Sequence, residues 1–185
     1  SYTAQATAFV SLPFLFEDAG HLSQIATGLL MTPWPAIVVV IAPIAGRLSD
    51  RSSPTLLGAM GLAVMTAGMA LLLVMPAQPT WGNVAWRMAV SGFGFGFFQS
   101  PNNRLLVGAA PPERTGAASG MLSTARLLGQ TTGTALVALM FGVGASGAGI
   151  AGGVRLSLLA GTIAAAGATV ISFVRVGQRR DPRRG

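Results

Sequence analysis

One segment of this chain carries polar and aromatic side chains at a regular spacing, which makes it a candidate for solute contact. Its members lie four, four, four and three residues apart, which places them on one face of an α-helix. They are Arg87, Ser91, Phe95, Gln99 and Asn102. Because lipid penalises such a face, we expect it to point into a helix bundle or a water-filled cavity. There it either contacts a solute or forms only interhelical hydrogen bonds.

A second candidate is Arg126, a charged residue inside an apolar stretch. It lies ten positions after Gly116, which is about 15 Å along a helix. An arginine at mid-membrane costs about 2.5–3.5 kcal/mol on insertion scales, so it needs hydrogen-bond acceptors. Its helix face offers acceptors without a counter-charge, namely Ser119, Ser123, Gln130 and Thr134. Arg126 is therefore either a structural residue that reaches the loops on the cytoplasmic side or part of an anion or proton path.

Residues that could catalyse a reaction or hold a metal are not grouped in the sequence. Cysteine is absent, and His21 is the single histidine. The carboxylates all fall in expected loops or in the tail, at Glu17, Asp18, Asp50, Glu113 and Asp181. We therefore expect no enzyme, no cofactor and no metal site. No expected span holds a proton carrier, because arginine titrates at too high a pH to release its proton.

The elements that must position these residues are membrane-spanning helices. Apolar residues make up 51% of the chain and charged residues 9%, whereas soluble domains carry about 25% charged residues. A helix needs about 20 apolar residues to cross a bilayer. The sequence predicts an all-α integral membrane protein, a bundle over 1–175 with helices at about 2–16, 24–45, 55–75, 84–107, 116–142 and 155–175. The first helix is too short to span, and we interpret it as truncated at its start.

The positions of the arginines predict the orientation of these helices. Every second loop between the helices lies on the same side of the membrane. One side therefore holds nine arginines, namely Arg47, Arg51, Arg104, Arg114, Arg175, Arg179, Arg180, Arg183 and Arg184. The opposite side holds only Arg87 and Arg155. The positive-inside rule then makes the basic tail, 176–185, cytoplasmic, and we expect a multi-pass protein of the cell (inner or plasma) membrane. This bias accounts for the net charge of +7, so we expect the lipid bilayer, and not nucleic acid, as a partner.

The turn between the second and third predicted helices carries the most specific sequence signal. It reads Gly46-Arg47-Leu48-Ser49-Asp50-Arg51. Gly46 lets two helix ends approach closely, and Asp50 can cap or face the N-terminal end of a neighbouring helix. Arg47 and Arg51 can pair with acids or reach lipid phosphates. The alternative is a solvated loop that follows the positive-inside rule.

This turn resembles the signature loop of the major facilitator superfamily, which joins the second and third helices of each six-helix half. The family pattern continues with glycine and further basic residues, whereas this chain continues with Ser52-Ser53-Pro54. Further stretches are similar to the drug/proton antiporter branch with fourteen helices, at 30–35, 42–48, 92–103 and 112–120. The resemblance covers the chain from about Gln5 to Phe173.

The resemblance implies the C-terminal six-helix half of such a transporter, with the N-terminal half missing. It implies alternating access for a small lipophilic solute, with protons as the coupling ion and the coupling acids in the absent half. The first and fourth helices of a half line the path, so Gln5 and Phe9 would face it together with Tyr2. Arg87 is similar to a fourth-helix arginine that is linked to proton transfer; snorkelling to the interface is the alternative.

Glycines in the fifth predicted helix indicate close helix packing. They form two small-residue pairs four positions apart, Gly116 with Gly120 and Gly129 with Gly133. The second pair is similar to a glycine-rich motif of the antiporters, although its Gly-Pro core is missing.

Two alternatives to drug efflux stay open. The aromatic and amide side chains suit a lipophilic solute, including a cationic one, but the same fold can carry another small metabolite. The chain can also be a non-transporting scaffold or a non-functional fragment.

Overall fold

The protein is helical throughout the part of the chain that its computed structural model describes, residues 1–76, 79–144 and 149–179. The helices are α1 (Tyr2–Phe14), α2 (Gln24–Met31), α3 (Pro33–Leu48), α4 (Pro54–Leu73), α5 (Trp81–Gly108), α6 (Thr115–Gly144) and α7 (Gly149–Arg179). A π-helical turn, Leu15–Ala19, extends α1, and a 3-10 turn, Pro112–Arg114, precedes α6. The predicted all-α fold class is confirmed.

Short local signals set where several helices begin. The hydroxyls of Ser23 and Thr80 each accept a hydrogen bond of 3.3 Å from the backbone N–H three residues further on, at the starts of α2 and α5. The Thr80 cap lets α5 begin at Trp81, ahead of the predicted start at 84. Pro33 and Pro54 occupy the first positions of α3 and α4, where a missing N–H breaks no intrahelical bond.

The second predicted helix is divided into two segments, α2 and α3, at Thr32. Pro33 has no backbone N–H, so the ladder of hydrogen bonds is interrupted there. The Thr32 hydroxyl donates to the carbonyl oxygen of Gly28 at 2.8 Å and stabilises the end of α2. The two segments still form one apolar stretch of 25 residues, Gln24–Leu48.

Helices α6 and α7 extend into the region that the sequence predicted as a connection, 142–153. α6 ends at Gly144 and α7 begins at Gly149, and residues 145–148 lie outside the described residues. A Cβ at Gly144 would lie 2.7 Å from the backbone nitrogen of Gly153, so small residues let the two helices close against each other. α7 continues to Arg179, so the predicted tail at 176–185 starts as helix; residues 180–185 lie outside the described residues.

Four stretches of the described chain are long and apolar enough to cross a membrane: Gln24–Leu48, Pro54–Leu73, Pro112–Gly144 and Gly149–Gln178. α1, with 13 residues, is shorter than a span. α5 has 28 residues, which is long enough, but its polar side chains lower its hydropathy. Because α5 packs between α3 and α4, neighbouring helices shield much of its polar surface from lipid.

The bundle is built on a few extensive helix pairs. α5 packs against α4 and α3, α4 packs against α7, and α1 packs against both α6 and α7. The core they share contains Leu12, Trp34, Met65, Met69, Leu72, Val84, Met88 and Leu158. At Gly94 an added Cβ would overlap the backbone nitrogen of Met65, so α4 and α5 touch through their main chains. This packing leaves α1, α3, α5 and α6 around a common recess.

Candidate functional site

Four helices border an open recess of about 330 Å³, which we call the aromatic recess. Residues of α1, α3, α5 and α6 line it: Tyr2, Gln5, Phe9, Trp34, Pro35, Val38, Val39, Phe95, Gln99, Arg126 and Gln130. Four of them are aromatic, four carry an amide or guanidinium group, and three are aliphatic. The recess can therefore bury a ring while it makes hydrogen bonds.

The aromatic side chains hold one another in place. Phe9 meets Trp34 edge to face at 5.3 Å between ring centroids, and Tyr2 meets Phe95 in the same way at 5.6 Å. The rings of Trp34 and Phe95 are 6.4 Å apart. Trp34 is 1% exposed and Phe95 is 3% exposed, so both are buried among their neighbours. Edge-to-face contacts at these distances are the favoured geometry, and the walls are therefore preorganised.

Several hydrogen-bond donors at the recess have no acceptor. The hydroxyl of Tyr2, the Nε1 of Trp34 and the Nε of Arg126 are buried without a partner among the described residues. Leaving such a donor unsatisfied costs about 1–3 kcal/mol, and a bound acceptor would remove the cost.

Arg126 gives the recess its charge. Its guanidinium carbon lies 5.3 Å from the centroid of the Tyr2 ring, a cation–π contact that joins α6 to α1. No carboxylate is among the residues that line the aromatic recess. The contact with Tyr2 does not support the interpretation that Arg126 reaches the loops.

The recess brings together several of the residues that the sequence singled out. Gln5 and Phe9 of α1, Phe95 and Gln99 of α5, and Arg126 of α6 all line it. They come from three helices, of which α1 is distant in the sequence from α5 and α6, and the fold places their side chains around one space.

Arg87 and Ser91 lie elsewhere, on the contact between α5 and α4. The Arg87 guanidinium donates to the carbonyl oxygens of Leu71 and Asn83, at 2.9 Å each, and lies 4.6 Å from the centroid of the Trp86 ring. Ser91 is fully buried, and its hydroxyl donates to the Arg87 carbonyl oxygen at 3.1 Å. These contacts correct the prediction that both residues line the cavity.

The geometry of the helix explains why the stripe divides. An α-helix turns about 100° per residue, so a step of four residues drifts by about 40°. Three such steps separate Arg87 from Gln99, which rotates the two side chains by about 120°. Asn102 lies about 10 Å beyond Phe95 along α5 and lines a different recess, next to Asp50 and Arg104.

The sequence analysis missed the contribution of α3. Trp34, Pro35, Val38 and Val39 form one wall of the aromatic recess. The two valines carry no signal that separates them from lipid-facing residues. Trp34 carries such a signal, because an indole N–H inside an apolar helix needs a hydrogen-bond acceptor that lipid does not supply.

The turn between α3 and α4 is attached to α5. The Arg104 guanidinium forms an ion pair with Asp50 and donates to the carbonyl oxygen of Gly46 at 2.9 Å and to the Ser49 hydroxyl at 3.3 Å. Asp50 therefore pairs with an arginine, a partner that the sequence analysis did not name for it. Arg47 and Arg51 are exposed, and neither forms an ion pair in the described part of the chain.

Gly46 has a close neighbour of its own in this region. A Cβ at Gly46 would lie 3.0 Å from the Ser100 hydroxyl oxygen, so α3 and α5 come close where the turn begins. The hydroxyl of Ser49 also donates to the Gly46 carbonyl oxygen, at 2.6 Å.

The two glycine pairs of α6 have different surroundings. A Cβ at Gly133 would lie 2.6 Å from the Thr3 carbonyl oxygen, and one at Gly129 would lie 2.8 Å from the Tyr2 Cβ, so this pair packs on α1. Gly116 and Gly120 have open space at the Cβ position among the described residues. The prediction that Gly116 and Gly120 pack a neighbouring helix is wrong within this part of the chain.

Comparison with known proteins shows the family of this chain. A family model described as Major Facilitator Superfamily matches residues 1–134. The chain belongs to the major facilitator superfamily. The matching relatives are named as transporters, so the prediction of a transporter and not an enzyme is confirmed.

Curated relatives in this superfamily include transporters with and without a named solute. The "Uncharacterized transporter YebQ" of Escherichia coli (strain K12) is 48% identical over 98% of this chain and 38% of its own length. The "Riboflavin transporter RibZ" of Clostridioides difficile (strain 630) is 32% identical over 76% of this chain and 31% of its own length. The "Multidrug efflux pump LfrA" of Mycolicibacterium smegmatis is 27% identical over 69% of this chain and 27% of its own length. The chain thus spans less than two fifths of these relatives.

Proposed function

We propose that this chain is the C-terminal half of a drug/proton antiporter that moves lipophilic aromatic solutes out of the cell. The observation that carries the proposal is the convergence of Gln5, Phe9, Phe95, Gln99 and Arg126 on the aromatic recess. One relative is named as a multidrug efflux pump, which supports efflux of drugs.

The recess has the composition of a binding site for a small molecule. Its volume of about 330 Å³ lies at the lower end of the range of drug-sized pockets, about 300–1,000 Å³. Its rings can stack on an aromatic solute, and the amides of Gln5, Gln99 and Gln130 can bind polar groups. We propose that a second bundle, the N-terminal half, supplies the opposite wall.

The proposed mechanism is alternating access, in which two bundles rock about a site between them. The ion pair between Asp50 and Arg104 ties the α3–α4 turn to α5. Rocking would therefore move the turn and α5 together, and with them Phe95 and Gln99 at the recess. We place this turn and the C-terminus on the cytoplasmic side of the plasma or inner membrane, as the arginine bias favours.

Proton coupling, in this proposal, depends on acids outside the described bundle. The residues that line the recess include no carboxylate, and arginine does not release its proton in the working pH range. The contacts of Arg87 with Leu71 and Asn83 favour a structural role over proton transfer. Coupling acids in the N-terminal half would complete the proton path.

A second candidate function is transport of a planar aromatic metabolite. The edge-to-face walls around Trp34 and Phe95 favour a flat ring. One relative is named as a riboflavin transporter, and riboflavin contains a flat ring system. A non-transporting fragment is the remaining alternative, and the same experiment distinguishes it.

The test is efflux from cells that lack their own major pumps. One culture would express the longest open reading frame that contains this chain, and another would express the chain alone. We expect the longer protein to extrude fluorescein or rhodamine 6G, and collapse of the proton gradient to stop it. Movement of riboflavin alone would favour the metabolite transporter. No movement of any of the three by a well-expressed protein would contradict the proposal.

A further inference from the structure

The aromatic recess holds a positive charge that nothing in the described bundle neutralises. Arg126 lines the recess and forms no ion pair with any described residue. Asp50 is paired with Arg104, while Glu17 and Asp18 lie in the π-helical turn and Glu113 in the 3-10 turn, away from the lining. A solute in the recess therefore meets a cation that lacks a counter-charge.

The neutral groups around Arg126 also favour an acceptor. The Tyr2 hydroxyl and the Trp34 Nε1 are buried donors without partners, as is the Nε of Arg126 itself. A carboxylate or sulfonate on the solute would accept from these donors and pair with the guanidinium, and charge-assisted hydrogen bonds of this kind are the stronger ones.

The same geometry disfavours a cationic solute. Aromatic faces bind cations, and Tyr2 is one of the rings that could do so. The Arg126 guanidinium already lies 5.3 Å from the centroid of that ring. A cationic solute would therefore have to displace Arg126 from the Tyr2 ring. It would also be repelled by Arg126, because bringing two like charges together in a partly buried site costs free energy.

We infer that the aromatic recess selects aromatic anions over lipophilic cations, with Arg126 as the residue that determines this specificity. The inference rests on the proposed function, since it takes the recess to lie on the solute path. It narrows the solute to a flat ring that carries an anionic acceptor group. The ring packs in the aromatic recess, and the anionic group pairs with Arg126.

The experiment uses two dyes with a common xanthene ring and opposite charge, fluorescein and rhodamine 6G, at a pH where fluorescein is anionic. Binding to the purified protein from the longest reading frame is followed by dye fluorescence. We expect tighter binding of fluorescein. Arg126→Gln should weaken fluorescein binding about 10-fold to 100-fold, the range of a lost hydrogen bond to a charged group, and should not weaken binding of rhodamine 6G. Arg126→Lys should keep most of the preference because it keeps the charge.

The matched control is Arg155→Gln, which removes an exposed arginine of α7 that does not line the recess. It should leave the affinities for both dyes unchanged. Elution as a single species and an unchanged unfolding temperature would show that each variant is folded. If Arg126→Gln does not fold, Tyr2→Phe removes one donor and should weaken fluorescein binding alone.

Three results would overturn the inference. The first is tighter binding of rhodamine 6G than of fluorescein by the unmodified protein, and the second is an equal loss of affinity for both dyes in Arg126→Gln. Either result would contradict the preference for anions and would leave the proposed transport function standing. Binding of neither dye would overturn the proposed function for lipophilic dyes, and the inference with it.

Discussion

Asp50, in the turn between α3 and α4, forms an ion pair with Arg104 of α5. The same guanidinium donates to the Gly46 carbonyl oxygen at 2.9 Å, so one side chain joins the turn to α5 at several atoms. The Arg104 and Asp50 side chains are 55% and 58% exposed, and water therefore screens the pair. An exposed pair contributes about 0–1 kcal/mol to stability, so its importance lies in holding the turn against α5.

Asp50→Asn should impair transport more than it impairs folding. The unfolding free energy should fall by no more than about 1 kcal/mol, because the pair is exposed. Transport should slow several-fold, because the turn no longer moves with α5. Solute flux and the unfolding midpoint would be measured on the same preparation. Arg51→Gln, which removes an unpaired charge from the same turn, is the control and should change neither. Equal effects of the two variants would contradict the role of the ion pair.

The two glycine pairs of α6 predict opposite responses to an added methyl group. Gly133→Ala places a Cβ 2.6 Å from the Thr3 carbonyl oxygen and should destabilise the protein by about 1–3 kcal/mol. Gly120→Ala has open space, and should be neutral or stabilise the helix by about 0.5–1 kcal/mol. Chemical unfolding in detergent would measure both. A neutral Gly133→Ala would show that α1 and α6 are not packed as described.

Gln99 and Ser91 both belong to the polar stripe of α5, and their substitutions should separate binding from stability. Gln99→Ala should raise the KM for a transported solute several-fold and leave the unfolding midpoint unchanged, because Gln99 lines the recess. Ser91→Ala should leave KM unchanged and cost about 0.5–1.5 kcal/mol, since it removes a buried hydrogen bond to Arg87. If Ser91→Ala changes KM as much as Gln99→Ala does, the division of the stripe is wrong.

Arg87 offers a test between a structural role and proton transfer. Its guanidinium holds the end of α4 through the Leu71 carbonyl oxygen. Arg87→Gln should lower the unfolding midpoint and reduce the amount of folded protein, while the dependence of transport on pH keeps its shape. The measurement is flux against pH for equal amounts of folded protein. A shifted or flattened pH profile with normal stability would instead support proton transfer.

The sequence by itself determined the membrane class, the helical fold and the signature turn. These features depend on local properties, because a run of apolar residues favours a span wherever it lies in the chain. Helix starts at Pro33, Pro54 and Thr80 are local in the same sense, since each depends on a proline or a capping hydroxyl. The break at Thr32 is also a local effect of Pro33, although the sequence analysis did not predict it.

Tertiary structure alone decided which side chains share the aromatic recess. A spacing of four residues turns gradually around α5, so the stripe could not show where its α4-facing part ends and its recess-facing part begins. The partner of Asp50 is 54 residues away in the chain, and the ring beside Arg126 belongs to α1. Such contacts depend on the rotation of each helix about its axis and on its offset along the axis relative to its neighbours. That register is set by close packing at residues such as Gly94 and Gly133. A local pattern can indicate that such a glycine packs closely, as it did for Gly133, but not which helix it meets.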